Sequence, residues 1–146
     1  MINPYNEEKS LSVLHLEDDK VDTMVIERII KRHLEFATLY HAKDGFEAFD
    51  MLRGENGKNK IPRPNIILLD LDMPKMNGHE FLKALRQDEE FKPISVFVLT
   101  TSNDEYDKQT AFSYNVAGYI LKPISVEQFE LVFRTLASYW KLNQLV

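Results

Sequence analysis

The sequence of 146 residues is 44% hydrophobic and 28% charged, which is typical of one soluble globular domain over residues 1–146 without a separate output module. It contains no cysteine, so a disulfide framework, a thiolate metal site and a cysteine nucleophile are excluded. The formal net charge of -5 disfavours nonspecific nucleic-acid binding. Because neither a membrane-spanning run nor an apolar signal-peptide core is found, we expect a cytoplasmic protein that does not bind membranes.

Strand and helix patterns alternate five times after a polar tail at residues 1–10. Strands are predicted over 13–16, 38–42, 66–69, 96–100 and 118–121, and helices over 21–34, 45–53, 78–87, 105–114 and 126–142. Turn-forming residues at 54–64 predict a long exposed loop before the third strand. Repeated alternation implies an α/β doubly wound fold, in which five helices cover both faces of a five-stranded parallel sheet.

Apolar residues at helical spacing predict the buried faces of the helices, although the helix at 105–114 is weaker and more polar. The predicted inward-facing residues are Val21, Met24, Val25, Ile29 and Leu34 in the first helix, Phe46, Phe49 and Leu52 in the second, and Phe129, Val132, Phe133, Leu136 and Trp140 in the last. Near the end of the last helix, Tyr139 and Trp140 are either core residues or part of a contact surface.

Carboxylates follow two of the predicted strands. Asp70 directly follows the apolar run 66–69, and Glu17, Asp18 and Asp19 follow the first strand. The carboxyl ends of parallel strands meet at one edge of a sheet, where carboxylates repel one another unless a cation joins them. Oxygen ligands of this kind suit Mg²⁺. The alternative interpretation is that the acidic residues after the first strand only cap the first helix, and Asp19 is expected to do so in either case.

A hydroxyl and an ammonium group are predicted at the same edge. Thr100 ends the fourth strand, where its hydroxyl could donate to a phosphoryl oxygen on Asp70. Lys122 lies between the fifth strand and Pro123, so we expect it to point at the carboxylates and to neutralise charge on a transferred phosphoryl group. Thr100 also fits a strand end without any function, and Lys122 could be an ordinary solvated lysine. A proline at 123 raises the chance of a cis peptide bond there.

Four motifs in order resemble the receiver domain of bacterial response regulators. Asp70 and Thr100 are 30 residues apart, and Thr100 and Lys122 are 22 apart, as in the chemotaxis-type regulators. The resemblance implies a flavodoxin-like fold with strand order 2-1-3-4-5. The motifs are LEDD at 16–19, LDLDMP at 69–74 followed by NG at 77–78, LTTS at 99–102 and GYILKP at 118–123.

The resemblance also implies a role for each site residue. Asp70 would accept a phosphoryl group from a phosphohistidine of a sensor histidine kinase or a histidine phosphotransfer protein. The protein would then catalyse only its own phosphorylation and dephosphorylation, and would not be an enzyme acting on other substrates. Mg²⁺ would be bound by Asp18 and Asp70, by Glu17 through water and by the backbone carbonyl of Asp72. The conformational switch would consist of the Thr100 hydroxyl, Lys122 and the aromatic ring of Tyr119.

Several features depart from the common receiver pattern. The loop 54–64 is long, and Asn77 stands where aspartate is frequent. Asp72 places a second acidic side chain beside the acceptor, so we hypothesise that Asp72 and Ser102 alter the phosphoryl lifetime. The loop, the LTTS motif at 99–102 and the aromatic-rich last helix are similar to those of stand-alone regulators paired with phytochrome-type kinases. Such proteins would signal by partner binding or by forming a homodimer through helix four, strand five and helix five.

The competing hypothesis is an enzyme, a haloacid-dehalogenase-like phosphatase with Asp70 as nucleophile and Asp72 as general acid. This D-x-D pattern follows an apolar strand, and a later Thr and Lys suit the same chemistry. Against it, the pattern follows the third predicted strand, no cap domain is predicted, and no acidic metal-binding motif follows Lys122. A flavodoxin-like electron carrier is disfavoured, because no hydroxyl- and glycine-rich loop follows the first strand.

Overall fold

The computed structural model describes residues 11–33, 35, 37–122 and 125–142, without the side chains at 140 and 141. Five parallel strands form one sheet in the order β2-β1-β3-β4-β5, which confirms the predicted topology. The elements are β1 Leu11–Leu16, α1 Lys20–His33, β2 Ala37–Ala42, α2 Gly45–Arg53, β3 Ile66–Leu69, α3 Gly78–Gln87, β4 Ser95–Thr100, α4 Glu105–Ser113, β5 Gly118–Leu121 and α5 Val126–Leu142.

Apolar side chains fill the space on both faces of the sheet. Successive residues of a strand point to opposite faces, so neighbours such as Ile67 and Leu68 belong to different cores. One core lies between the sheet and α2, α3 and α4, and the other lies between the sheet and α1 and α5. All four residues of β3 are buried, which explains its continuous apolar run.

Polar caps set where the helices on one face begin. The Asp44 side chain accepts a hydrogen bond from Glu47 N at the start of α2. Asn77 and Glu80 form a reciprocal capping box at the start of α3. The asparagine at position 77 therefore replaces an aspartate without loss of the cap, because both side chains offer an acceptor oxygen.

The predicted apolar stripe of α1 is wrong in its first turns. Val21 and Met24 are 68% and 61% exposed, whereas Ile26, Ile29 and Ile30 are buried. Residues two positions apart in a helix point about 200° away from each other. Met24, two residues before the buried Ile26, therefore faces solvent. Phe46 in α2 is also wrongly predicted, because it is 55% exposed while Ala48, two residues later, is fully buried.

The loop 54–64 is exposed only in part, contrary to the prediction. Residues 54–60 are exposed, whereas Ile61 and Pro64 are buried. The Ile61 N–H donates to the Met51 carbonyl at 3.0 Å, which attaches the loop to the end of α2.

Some predictions concern parts of the chain outside the described residues. These are the tail 1–10, the buried position of Leu34, the Lys122–Pro123 peptide bond and the Trp140 side chain. Among the described helices, none is both long and apolar enough to cross a membrane.

Candidate functional site

Predicted site residues lie at the carboxyl ends of four of the strands. Glu17 and Asp18 follow β1, Asp70 follows β3, Thr100 ends β4 and Lys122 follows β5. In a parallel sheet these ends lie at the same edge. One carboxylate oxygen each of Glu17, Asp18 and Asp70 lies within 4.8 Å of the others. The structure therefore brings together the three carboxylates that were predicted to meet.

Two of these carboxylates are buried, which makes their charges unfavourable without a cation. Glu17 is 1% exposed and Asp70 is 5% exposed, whereas Asp18 is exposed. Burial raises the pKa of Glu17 above its usual value, a hydrogen bond with Asp70 and the negative charge of Asp70 add to the rise, and Lys122 opposes it. A set of hard oxygen donors, two buried and one open to solvent, fits a divalent cation such as Mg²⁺ or Mn²⁺.

Lys122 points into the carboxylate cluster, as predicted. Its ammonium donates to Glu17 Oε1 at 3.0 Å and to Asp70 Oδ2 at 3.1 Å. Burial lowers the pKa of Lys122, but the carboxylates of Asp22, Asp70 and Glu17 outweigh this effect and raise the pKa above its usual value. The group is therefore a fixed positive charge inside an acidic site.

Asp22, in the first turn of α1, is a site residue that the sequence reasoning missed. Its Oδ2 lies 2.7 Å from Lys122 Nζ, which is shorter than the contacts of Lys122 with Glu17 and Asp70. The sequence offers only an acidic residue in a first helical turn, which is common without any ligand. Asp19 caps α1 as predicted, since its Oδ1 accepts a hydrogen bond from Asp22 N at 3.0 Å.

The loop after β3 is tied closely to Asp70. The Asp72 N–H donates to Asp70 Oδ1 at 3.1 Å, while the Asp72 side chain is exposed. A Cβ at Gly78 would lie 2.6 Å from Leu71 Cα and 2.8 Å from the Asp70 carbonyl oxygen. Glycine at position 78 therefore permits α3 to begin against the end of β3, which explains the NG dipeptide of the motif physically.

Thr100, the hydroxyl residue of the site, is held by a hydrogen bond from the loop that follows β4. Thr100 is completely buried, and its Oγ1 accepts a hydrogen bond from Ser102 N at 3.3 Å. The Ser102 carbonyl accepts a hydrogen bond from the Tyr119 hydroxyl at 2.8 Å. The three predicted residues Thr100, Ser102 and Tyr119 are thus connected through the backbone of Ser102.

Two further residues that the sequence reasoning missed extend this connection to α3 and α4. The Ser102 hydroxyl donates to Asp107 Oδ2 at 2.6 Å, and His79 Nε2 lies 2.9 Å from Asp107 Oδ1. The hydrogen bonds from Ser102 and His79 lower the pKa of Asp107. The loop after β4 is therefore anchored to α4 and, through Asp107, to α3.

Comparisons with known proteins agree with this geometry. A family model described as the response regulator receiver domain matches residues 13–134. The response regulator Rcp1 of Synechocystis sp. is 32% identical over 128 residues, which cover 88% of this chain and 87% of Rcp1.

Solved structures extend the comparison to the fold. A crystal structure of the Mn²⁺-bound form of Rcp1 superposes with a TM-score of 0.83 at 30% identity, covering 93% of this chain and 98% of the other. The phosphorylated cyanobacterial phytochrome response regulator RcpA superposes with a TM-score of 0.85 at 29% identity, covering 94% and 98%. The chain belongs to the response regulator receiver domain family of two-component signalling.

Proposed function

We propose that Asp70 accepts a phosphoryl group from a phosphohistidine of a histidine kinase or a histidine phosphotransfer protein. The observation that carries the proposal is the buried Asp70 carboxylate, which is bound by Lys122 and lies within 4.8 Å of Glu17 and Asp18. A carboxylate oxygen of Asp70 attacks the phosphorus, the P–N bond breaks, and the imidazole nitrogen leaves with the electron pair of that bond. Hydrolysis of the acyl phosphate later returns the free carboxylate and inorganic phosphate.

A divalent cation fits this proposal, and Mg²⁺ is the one we propose. Glu17, Asp18 and Asp70 would hold it, together with the backbone carbonyl of Asp72. When bound, it neutralises charge that develops on the phosphoryl oxygens. The Mn²⁺-bound form of Rcp1 supports a divalent ion in this family. Lys122 supplies the second positive charge at the site.

The Thr100 hydroxyl would report the phosphoryl group to the surface of the protein. In the described structure Thr100 Oγ1 accepts a hydrogen bond from Ser102 N, and Ser102 in turn binds the Tyr119 hydroxyl. If the Thr100 hydroxyl rotates to donate to a phosphoryl oxygen, its hydrogen bond from Ser102 N is disturbed. The hydrogen bond between the Tyr119 hydroxyl and the Ser102 carbonyl is then disturbed as well. The site and the ring of Tyr119 would therefore change together.

We infer that the changed surface is the one formed by α4, β5 and α5, and that it binds a partner or a second copy of the chain. Tyr106, Phe112 and Leu121 are 73%, 53% and 43% exposed on α4 and β5, which supplies apolar contact area. The likeness to the phytochrome response regulator RcpA supports a phytochrome-type kinase as the phosphodonor. In this proposal residues 1–146 form one receiver domain.

We test the proposal by intact mass after incubation with Mg²⁺ and acetyl phosphate. The wild type should gain one phosphoryl group only when Mg²⁺ is present, and Asp70→Asn should gain none. Asp72→Asn is the matched control, because it makes the same change two residues away in an exposed side chain. It should still be phosphorylated, with an altered lifetime of the phosphoryl group if Asp72 tunes hydrolysis.

The same experiment addresses the competing enzyme. Rapid release of phosphate from unrelated phosphoesters without a lasting adduct would favour a phosphatase with Asp70 as nucleophile and Asp72 as general acid. In that case Asp72→Asn would lose turnover. Equal phosphoryl lifetimes in the wild type and Asp72→Asn would contradict the tuning role of Asp72.

A further inference from the structure

Asp22 makes the shortest contact with Lys122, although the proposed phosphoryl transfer gives it no role. The Lys122 ammonium lies 2.7 Å from Asp22 Oδ2, compared with 3.0 Å and 3.2 Å from the two Glu17 oxygens and 3.1 Å from Asp70 Oδ2. The Lys122 side chain is only 10% exposed, so water competes little for these contacts. The ammonium is therefore bound by a residue of α1 as well as by residues of the phosphorylation site.

The position of Asp22 is set by the start of α1 and not by the cluster. Asp22 N donates to Asp19 Oδ1 at 3.0 Å, and Thr23 N donates to the Asp19 carbonyl at 3.0 Å. The Thr23 hydroxyl donates to the same carbonyl at 2.8 Å. An aspartate side chain is short, so its carboxylate can move little once this helical turn is capped. Lys122, with its long flexible stem, is the partner that can move.

All the hydrogen-bond donors of the Lys122 ammonium are used in this arrangement. Lysine has three N–H donors, and the carboxylates of Glu17, Asp22 and Asp70 take all three. A phosphoryl group on Asp70 adds strong acceptor oxygens and further negative charge. To bind that group, Lys122 must weaken one of its present contacts, and the contact with Asp22 is the one that lies outside the predicted metal ligands.

We propose that Asp22 is a positioning residue that holds the Lys122 ammonium toward α1 and competes for it with the phosphoryl group entering on Asp70. This inference rests on the proposed function. Removing the Asp22 charge leaves Lys122 free for the phosphoryl group and lowers the negative charge that an anionic phosphodonor meets. Phosphorylation at saturating Mg²⁺ then becomes faster. The same loss of negative charge makes the site a weaker binder of Mg²⁺.

The test compares Asp22→Asn, Asp22→Glu and Glu27→Gln with the wild type. We measure the initial rate of Asp70 phosphorylation by acetyl phosphate at saturating Mg²⁺ by intact mass, and Mg²⁺ affinity by calorimetry. Asp22→Asn should phosphorylate about three- to tenfold faster and bind Mg²⁺ about three- to tenfold more weakly. Asp22→Glu, which keeps the charge, should stay nearer to the wild type in both. Glu27→Gln removes one charge from an exposed position of α1 and should match the wild type.

The two readouts separate positioning from mere structural damage. A damaged site would lose both phosphorylation and Mg²⁺ affinity, and that result would overturn the inference. Equal rates in Asp22→Asn and Glu27→Gln would overturn it as well, because the effect would not depend on the contact with Lys122. A wild type that gains no phosphoryl group on Asp70 would instead overturn the proposed function, and this inference with it.

Discussion

The two edges of the sheet use charged residues in opposite ways. At the amino edge, where the strands begin, Arg86 of α3 donates to the backbone carbonyls of Tyr114, Lys92, Ile94 and Asn115 at 2.6–3.1 Å. Each of these Arg86 hydrogen bonds ends on a neutral backbone carbonyl. At the carboxyl edge, several carboxylates crowd around one ammonium, and like charges lie within 4.8 Å of one another.

Two carboxylates show the consequence of this difference. At the amino edge, burial would raise the pKa of Asp88, but the hydrogen bond from Arg53 and the N–H groups of Phe91 and Glu90 outweigh burial and lower it. At the carboxyl edge, burial and Asp70 raise the pKa of Glu17. The folded state therefore favours the charge of Asp88 at the amino edge, whereas at the carboxyl edge it disfavours the charge of Glu17.

The largest expected effect on stability comes from removing the Arg86 hydrogen bonds at the amino edge. Arg86→Met keeps the apolar stem but leaves the acceptors of loops before β4 and β5 without their donor. We expect a loss of about 2–4 kcal/mol in the free energy of unfolding in urea, with phosphorylation of Asp70 retained. Lys83→Met, an exposed position on the same helix, is the control and should change stability little. If both variants lose the same stability, Arg86 does not fix this edge.

A smaller effect is expected at Asp88, and it depends on pH. The folded-state pKa of Asp88 lies below its unfolded value, so its contribution is present above the unfolded pKa and is lost as pH falls through the folded pKa. Asp88→Asn should lose about 1 kcal/mol of unfolding free energy at pH 7. Below pH 4 the difference from the wild type should shrink. Urea unfolding at pH 7, 5, 4 and 3 measures this, and a difference that grows in acid would contradict the assignment.

The smallest effect concerns backbone strain. Lys75, in the loop after β3 at the carboxyl edge, has φ 62, whereas at the amino edge the positive φ values of 52 and 57 belong to Asn56 and Asn115. Asparagine adopts this conformation more readily than lysine. Lys75→Asn should therefore raise the unfolding free energy by about 0.5 kcal/mol, and the reverse change Asn115→Lys should lower it by a similar amount. A loss of stability in Lys75→Asn would show that no strain is stored there.

Strands, helices and the residues that follow them could be predicted from the sequence, because they depend on residues close together along the chain. Four apolar residues ending in Asp70 indicate a buried strand with a carboxylate at its end, and the alternation of elements then places Glu17 and Asp18 beside it. The contact between Asp22 and Lys122 could not be predicted, because it joins residues 100 positions apart through the packing of α1 over the sheet edge.

Side-chain direction was also harder to predict than element type. The helical spacing of Met24 to neighbouring apolar residues predicts an inward position, but the face buried by α1 is fixed by Ile26, Ile29 and Ile30 against α5 and the sheet. Asp107 and His79 were missed for a related reason. Their contact depends on where α3 and α4 meet, and neither residue belongs to a recognisable motif.

We propose that the carboxyl edge keeps its unfavourable negative charge because that charge binds a cation and serves phosphoryl transfer. The most direct test is the free energy of unfolding of Asp70→Asn with and without Mg²⁺. Without Mg²⁺ the variant should be about 1 kcal/mol more stable than the wild type, because one repelling charge is removed while Lys122 keeps Glu17 and Asp22. With Mg²⁺ the wild type should gain more stability than the variant. A variant that is less stable than the wild type without Mg²⁺, as expected for Asp88→Asn at the other edge, would contradict the claim.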